Sequence, residues 1–192
     1  MSNTTGTRIN RQVRNLTTSG ICLALCMVLP FLTGQIQQFG AALSPMHIPV
    51  LLCGFLAGPV YAAAVGLLAP ILRSTIFGMP PMISPMPIGL AMTFELATYG
   101  LMAGMLYKML PKKNISVYVT LIIAMLSGRV IWGIAMRIIM GFLGMSFTLD
   151  AFLAGAFINA VPGIILHIVL IPAIVITLKR AKFLESAHQP GA

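Results

Sequence analysis

The chain is dominated by apolar runs of roughly 17 residues or more in which charged side chains are scarce. A helix needs about 20 residues to cross a hydrocarbon layer of about 30 Å, so runs of this length read as membrane spans. Composition agrees: 58% of the 192 residues are hydrophobic and 8% charged, against about 45–50% and about 25% in soluble domains. A water-soluble fold of this size has nowhere to hide so much apolar surface. The expected fold class is an all-α membrane protein, a single bundle of six transmembrane helices that fills residues 15–180, with a basic tail over 1–14 that is either frayed or a short helix at the membrane surface, and a second tail over 181–192.

The spans are placed as follows. The first runs from Leu16 to Thr33, the second and shortest from Met46 to Ala57, and the third from Val60 to Phe77. Gly58-Pro59 between the second and third forms a tight turn, because proline cannot continue a helical ladder and glycine relieves the reversal. The fourth span covers Ile88 to Leu110 and the fifth Ile115 to Leu143. The sixth, Ala151 to Leu178, carries Pro162 and Pro172, which predict kinks or lost backbone bonds. The loop over residues 78–87 holds Pro80, Pro81, Pro85 and Pro87 and must be irregular. A second span so short is tolerable as a partly re-entrant segment only if protein or water covers its backbone.

Charge placement orients the bundle. The net charge is +9, and Arg8, Arg11, Arg14, Lys108, Lys112, Lys113, Lys179, Arg180 and Lys182 all lie at span ends on one side. Basic residues mark the cytoplasmic face; the three loops on the other face, 34–45, 78–87 and 144–150, contain neither Lys nor Arg. Both termini are therefore expected in the cytoplasm of a prokaryotic cell, with the chain multi-pass in its plasma membrane. The basicity reports orientation rather than nucleic-acid binding, since no aromatic-interleaved basic surface accompanies it.

Within the spans the informative residues are polar, because an ionised group at mid-bilayer costs at least about 2.5–3.5 kcal/mol. Arg73, Glu95, Arg129 and Arg137 are ionisable; Asn159, His47 and His167 accompany them. At about 1.5 Å per helical residue, Arg73, Arg137, Asn159 and His47 are expected in the outer leaflet, His47 at its surface. Glu95 and Arg129 fall nearer the midplane and can pair across helices. That pair has a plain reading as a structural ion pair fixing register. The outer arginines have only Asp150 nearby as an acid, so they either contact a ligand or extend to the outer headgroups. An outward-opening pocket with unmatched guanidinium groups favours a carboxylate or phosphate; Gln35, Gln38, Thr98 and Tyr99 add neutral hydrogen-bonding capacity. The candidate substrate-binding set is Arg73, Arg137, Asn159, His47, Glu95, Arg129, Gln38 and Tyr99.

Other features are weaker. Cys22, Cys26 and Cys53 lie in apolar runs without the neighbours a metal site needs and read as packing. The methionines of the 78–87 loop can in principle hold Cu(I), but methionine is also ordinary adaptable filling; no metal or cofactor is expected. Small residues four apart, Gly20 with Ala24, Gly54 with Gly58, and Gly100 with Gly104, allow close helix approach. No cleavable signal peptide is evident. There is no GxxxxGK[ST] phosphate loop, no HExxH and no GxSxG, which argues against ATP binding by that device and against an enzyme. No clear inverted repeat of broken helices stands out, which weakens a stand-alone carrier.

The stretches LPFLTGQIQQFGAALSPMHIPVLLCGFLAGPVYAAAVGLLAPILRSTIFGMPPM (29–82), FELATYGLMAGMLYKMLPKK (94–113) and LAGAFINAVPGIILHIVLIPAIV (153–175) resemble the substrate-specific (S) components of energy-coupling factor transporters. The distinctive marks are the His-Ile-Pro entrance to the second span, the Gly-Pro turn and the Gly-Met-Pro-Pro loop. The resemblance implies a six-helix subunit that captures a vitamin outside, under the loops after spans one and three, and docks on a membrane coupling protein with two ATPases. A small-residue motif of span one makes that docking contact in the family, and the matching position here reads Gly20-x-x-x-Ala24. The expected function is binding of a vitamin or cofactor precursor for ATP-driven import, with pantothenate first and a pyridoxine-type ligand next. The alternative is a stand-alone secondary transporter or channel for a small metabolite.

Overall fold

The computed structural model describes residues 3–32, 43–83, 86–111 and 113–181, and these are helical almost throughout. In order they form α1 (Asn3–Leu32), α2 (His47–Ala57), α3 (Pro59–Phe77), α4 (Ile88–Met109), α5 (Asn114–Phe142), a short α6 (Leu149–Leu153), a π-helical turn (Ala154–Ile158) and α7 (Val161–Arg180). Helices α1, α3, α4 and α5, together with the 149–180 segment, are each long and apolar enough to cross a membrane. Helix α2 is the short sixth member.

Helix α2 is apolar on every side, which marks a helix enclosed by protein rather than lipid. Every residue from His47 to Ala57 except Leu56 is buried. It is wrapped by α1, α3, α4 and α7, so its backbone never meets lipid. Gly58 follows with φ 93, a left-handed conformation that favours glycine. Pro59 then opens α3, where the missing proline N–H costs nothing.

Helix α4 is the central post. Its small residues let α3 and α2 close on it: a β-carbon on Gly66 would strike the Leu96 carbonyl, one on Gly100 the Ala62 carbonyl, and one on Gly104 the backbone of Pro59. The Gly100/Gly104 pair and Gly54 are thus internal packing contacts. Gly20 differs, because a β-carbon there meets nothing within 4 Å.

The Gly58 turn approaches the Lys108 ammonium, and Lys179 Nζ donates to Asn114 Oδ1 at 3.5 Å. These contacts gather the basic ends at one pole of the bundle. Lys108 closes α4, and Lys179 and Arg180 close α7, where cations complement the carbonyl ends of helices. By the positive-inside rule that pole is cytoplasmic.

Two expectations change. Helix α1 begins at Asn3, well before Leu16; apolar content marks where lipid begins, not where the hydrogen-bond ladder begins. In the last span the irregularity expected at Pro162 is present, as the π turn and the 159–160 turn just ahead of it, and α7 runs on through a buried Pro172 that donates no backbone hydrogen bond. His47 is not at the outer surface: α2 has 11 residues, or about 16 Å at 1.5 Å each, and it rises from the cytoplasmic Gly58 turn only to mid-bundle.

Candidate functional site

Because α2 ends at mid-height, the outer half of the bundle encloses a cavity of about 590 Å³, within the range of about 300–1,000 Å³ typical of small-molecule sites. Its floor is His47, Glu95 and Arg129. Above Arg129, α5 presents Trp132, Met136 and Met140 to the cavity, spaced three, four and four residues apart along one face. The opposite side holds Arg73 and Phe77 of α3. The mouth is bordered by Met79, Pro80, Pro81 and Met86 from the loop after α3 and by Ser146 and Phe147 before α6, while Ser44 and Pro45 line the cavity next to His47, whose backbone N–H donates to the Ser44 carbonyl at 3.0 Å.

The floor is a connected polar group. Arg129 Nη1 lies 3.2 Å from Glu95 Oε1, and the Tyr99 hydroxyl donates to the same oxygen at 2.9 Å. His47 Nε2 is 3.7 Å from it, close enough for electrostatic contact and too long for a hydrogen bond. Glu95 is 1% exposed, so its charge is matched by Arg129 rather than by water. Residue 128 is glycine because the Tyr99 ring lies where its β-carbon would be; Gly128-Arg129 thus makes room for the tyrosine and supplies the cation. The His167 ring stacks on His47 at 5.9 Å, behind it and outside the cavity lining.

Arg73 is built differently. It is 6% exposed, Nη1 donates to the Met27 carbonyl of α1 at 2.7 Å, and its guanidinium sits 5.2 Å and 5.3 Å from the Phe31 and Phe77 ring centres. Those aromatic faces offer attraction but no neutralising charge. Among the described residues no carboxylate pairs with Arg73; both ion pairs use Glu95. Two lining guanidinium groups against one carboxylate leave the cavity with one positive charge, histidines taken as neutral.

Of the residues singled out from sequence, Arg73, His47, Glu95, Arg129 and Asn159 line this cavity. Tyr99 lies behind the wall and acts through Glu95. Arg137 is exposed on another face of α5, where Nη1 donates to the Phe147 carbonyl at 3.2 Å and lines a separate shallow concavity with Ile134 and Phe142. Gln35 and Gln38 lie outside the described residues. Sequence reasoning passed over Trp132, whose indole stacks on Phe152 at 6.3 Å and meets Phe147 edge-on at 5.9 Å. It also passed over Met92, Met136 and Met140, which give the wall its adaptable apolar character. The signal available for α5 was the helical spacing upward from Arg129. Among the described residues no cluster of three or more His, Cys, Asp or Glu is placed to hold a metal.

Comparison with curated proteins and with solved structures returned no match. The family profile described as "ECF transporter, substrate-specific component" matches residues 14–175, which takes in all the cavity residues described above and every helix of the bundle except the start of α1 and the end of α7. The chain belongs to the family of substrate-specific components of ECF transporters, and is a transporter subunit.

Proposed function

We propose that the chain captures a small, singly charged organic anion of the vitamin or cofactor-precursor class from outside a prokaryotic cell, for import driven by partner ATPases. The observation that supports this reading is the unmatched Arg73 guanidinium on the wall of a mostly apolar cavity. A buried guanidinium without a carboxylate is costly, and a ligand carboxylate removes that cost through charge-assisted hydrogen bonds. Met27 takes Nη1, which leaves the other edge of the fork for a ligand. The closed Glu95–Arg129 pair supports a monoanion over a more highly charged ligand. Pantothenate, with one carboxylate and a branched apolar centre, is the first candidate; a pyridoxine-type ligand, which has no carboxylate, is the next and stands only if the charge reading fails.

Coupling to a membrane protein and two ATPases belongs to the same proposal. It is supported by family membership and by the open Gly20–Ala24 face of α1, where both residues are exposed.

Trp132 is the single tryptophan and lines the cavity, so its fluorescence reports occupancy. Titration of the purified protein with pantothenate, its neutral alcohol analogue pantothenol, pyridoxine and thiamine tests the charge. Pantothenate is expected to bind at least about tenfold more tightly than pantothenol, and Arg73→Gln to abolish the difference, since hydrogen bonds to charged groups contribute about 1.5–3 kcal/mol. Stabilisation by cationic thiamine, with no response to the carboxylate, would overturn the reading.

A further inference from the structure

We propose that the outer end of α5 carries a site for an anionic phospholipid of the outer leaflet, with the lipid phosphate on Arg137 and an acyl chain lying against Ile138 and Ile134. The site is separate from the cavity and holds whatever ligand the cavity takes.

Depth comes from the helix itself. Asn114, the first residue of α5, is tied to Lys179 at the cytoplasmic pole. From there to Arg137 the helix rises about 35 Å at about 1.5 Å per residue, or about 32 Å with an ordinary tilt of about 20°. The hydrocarbon layer is about 30 Å thick, so Arg137 stands at the outer head-group boundary. Helical side chains lean toward their own N-terminus, which for α5 is the cytoplasmic side. Arg137 turns the other way: Nη1 donates at 3.2 Å to the carbonyl of Phe147, beyond the end of the helix. Gly141, one turn above, leaves that path clear, since a β-carbon there meets nothing within 4 Å among the described residues.

Charge and shape then select the occupant. The three outer loops contain neither Lys nor Arg, and Arg73 and Arg129 are buried. Among the described residues Arg137 is therefore the exposed cation of the outer half of the bundle. Asp150, the nearest acid in sequence, forms no ion pair with it; both ion pairs use Glu95. With Phe147 taking one Nη, the rest of the guanidinium fork fits phosphate oxygens. A zwitterionic head group brings its own cation to a guanidinium that already lacks a carboxylate, so a head group with net negative charge fits better. Ile134, Ile138 and Phe142 are 51%, 53% and 89% exposed and form with Arg137 and Gly141 one shallow concavity along a single face of α5. Ile138 and Ile134 lead from the guanidinium toward mid-membrane, the course an acyl chain takes from its phosphate, while Phe142 borders the head group.

The test presents the full chain in maltoside micelles with equal amounts of phosphatidylglycerol and phosphatidylcholine of identical acyl chains. Native mass spectrometry reads the ratio of the two in the first bound lipid, and a ratio is insensitive to loss of folded protein. Arg137→Gln is expected to lower the preference for phosphatidylglycerol at least about threefold, most of the roughly fivefold that one basic residue contributes at an anionic surface. The cytoplasmic cations bind anionic lipid in both chains and cancel in that comparison. Gly141→Leu fills the concavity, meets no neighbour in the fold, and should reduce occupancy by both lipids. Arg73→Gln should leave the ratio unchanged. A ratio untouched by Arg137→Gln overturns the site, and one lost with Arg73→Gln places the phosphate in the cavity instead. Displacement of the lipid by millimolar inorganic phosphate would assign Arg137 to the free ion, and full occupancy in Gly141→Leu would overturn the groove.

Discussion

Removing one partner of the Glu95–Arg129 pair should destabilise the bundle far more than removing both. Arg129→Met strips the cation from a carboxylate that is 1% exposed and leaves it the Tyr99 hydroxyl at 2.9 Å as its hydrogen bond. Glu95→Leu strands a guanidinium that is 7% exposed and has an unpartnered Nε already. Breaking a buried pair from one side costs about 3–5 kcal/mol, while exchanging both ions for apolar side chains of similar volume is often neutral or stabilising. The single variants should therefore each lose about 3 kcal/mol or more and the double variant about 1–2 kcal/mol, a coupling of at least about 4 kcal/mol where independent sites add within about 0.5 kcal/mol. The assay is reversible unfolding from mild micelles by added dodecyl sulfate, followed by far-ultraviolet circular dichroism. Additive single losses would refute the claim that the two charges depend on each other, and the cavity floor would then need a different charge count.

Three further outcomes follow from the packing. Arg137→Ala should change ligand affinity less than about threefold, because this side chain lies outside the cavity lining and reaches it only through its bond to the Phe147 carbonyl; Trp132 fluorescence titration checks it. Gly20→Leu should leave binding unchanged and stop ATP-driven uptake in vesicles that contain the coupling protein and ATPases, since among the described residues nothing beyond its own helix backbone lies within 4 Å of the added β-carbon; normal uptake would remove α1 from the docking surface. Gly100→Val should cost about 3 kcal/mol or more, or prevent recovery of folded protein, because its β-carbon would strike the Ala62 backbone carbonyl and not a side chain that can move; the same unfolding titration reads it.

The spans were legible because a hydrocarbon slab demands long uncharged helices. The Glu95–Arg129 contact was legible because Glu95 is the one acid within the runs and needs a cation near its depth. Two things were not legible for one reason: counting residues gives depth along a span but assumes that every span reaches both surfaces, and it says nothing of direction around the helix. His47 begins a helix that starts at mid-height, so the count put it too far out. Arg137 has a plausible depth, but at about 100° per residue it stands about 80° around α5 from Arg129, whereas Met136 and Met140 return to within about 20° of it. The cavity stripe belongs to the latter pair.

The half-height helix α2 links these observations. Its first residue, His47, lies at the cavity floor with Nε2 3.7 Å from Glu95 Oε1. One carboxylate thus balances Arg129, accepts the Tyr99 hydroxyl and lies beside the start of α2. With those demands met, the floor exerts little net pull on a passing ion, and under the function proposed above charge selection is the role of Arg73. The division suits a subunit that must both capture and surrender its ligand. Arg73 and Arg129 are equally buried, at 6% and 7% exposed, so they differ in their partners: Arg129 has a carboxylate at 3.2 Å, whereas Arg73 has a backbone carbonyl at 2.7 Å, and an ion pair in such a low dielectric is strong only where the carboxylate is present.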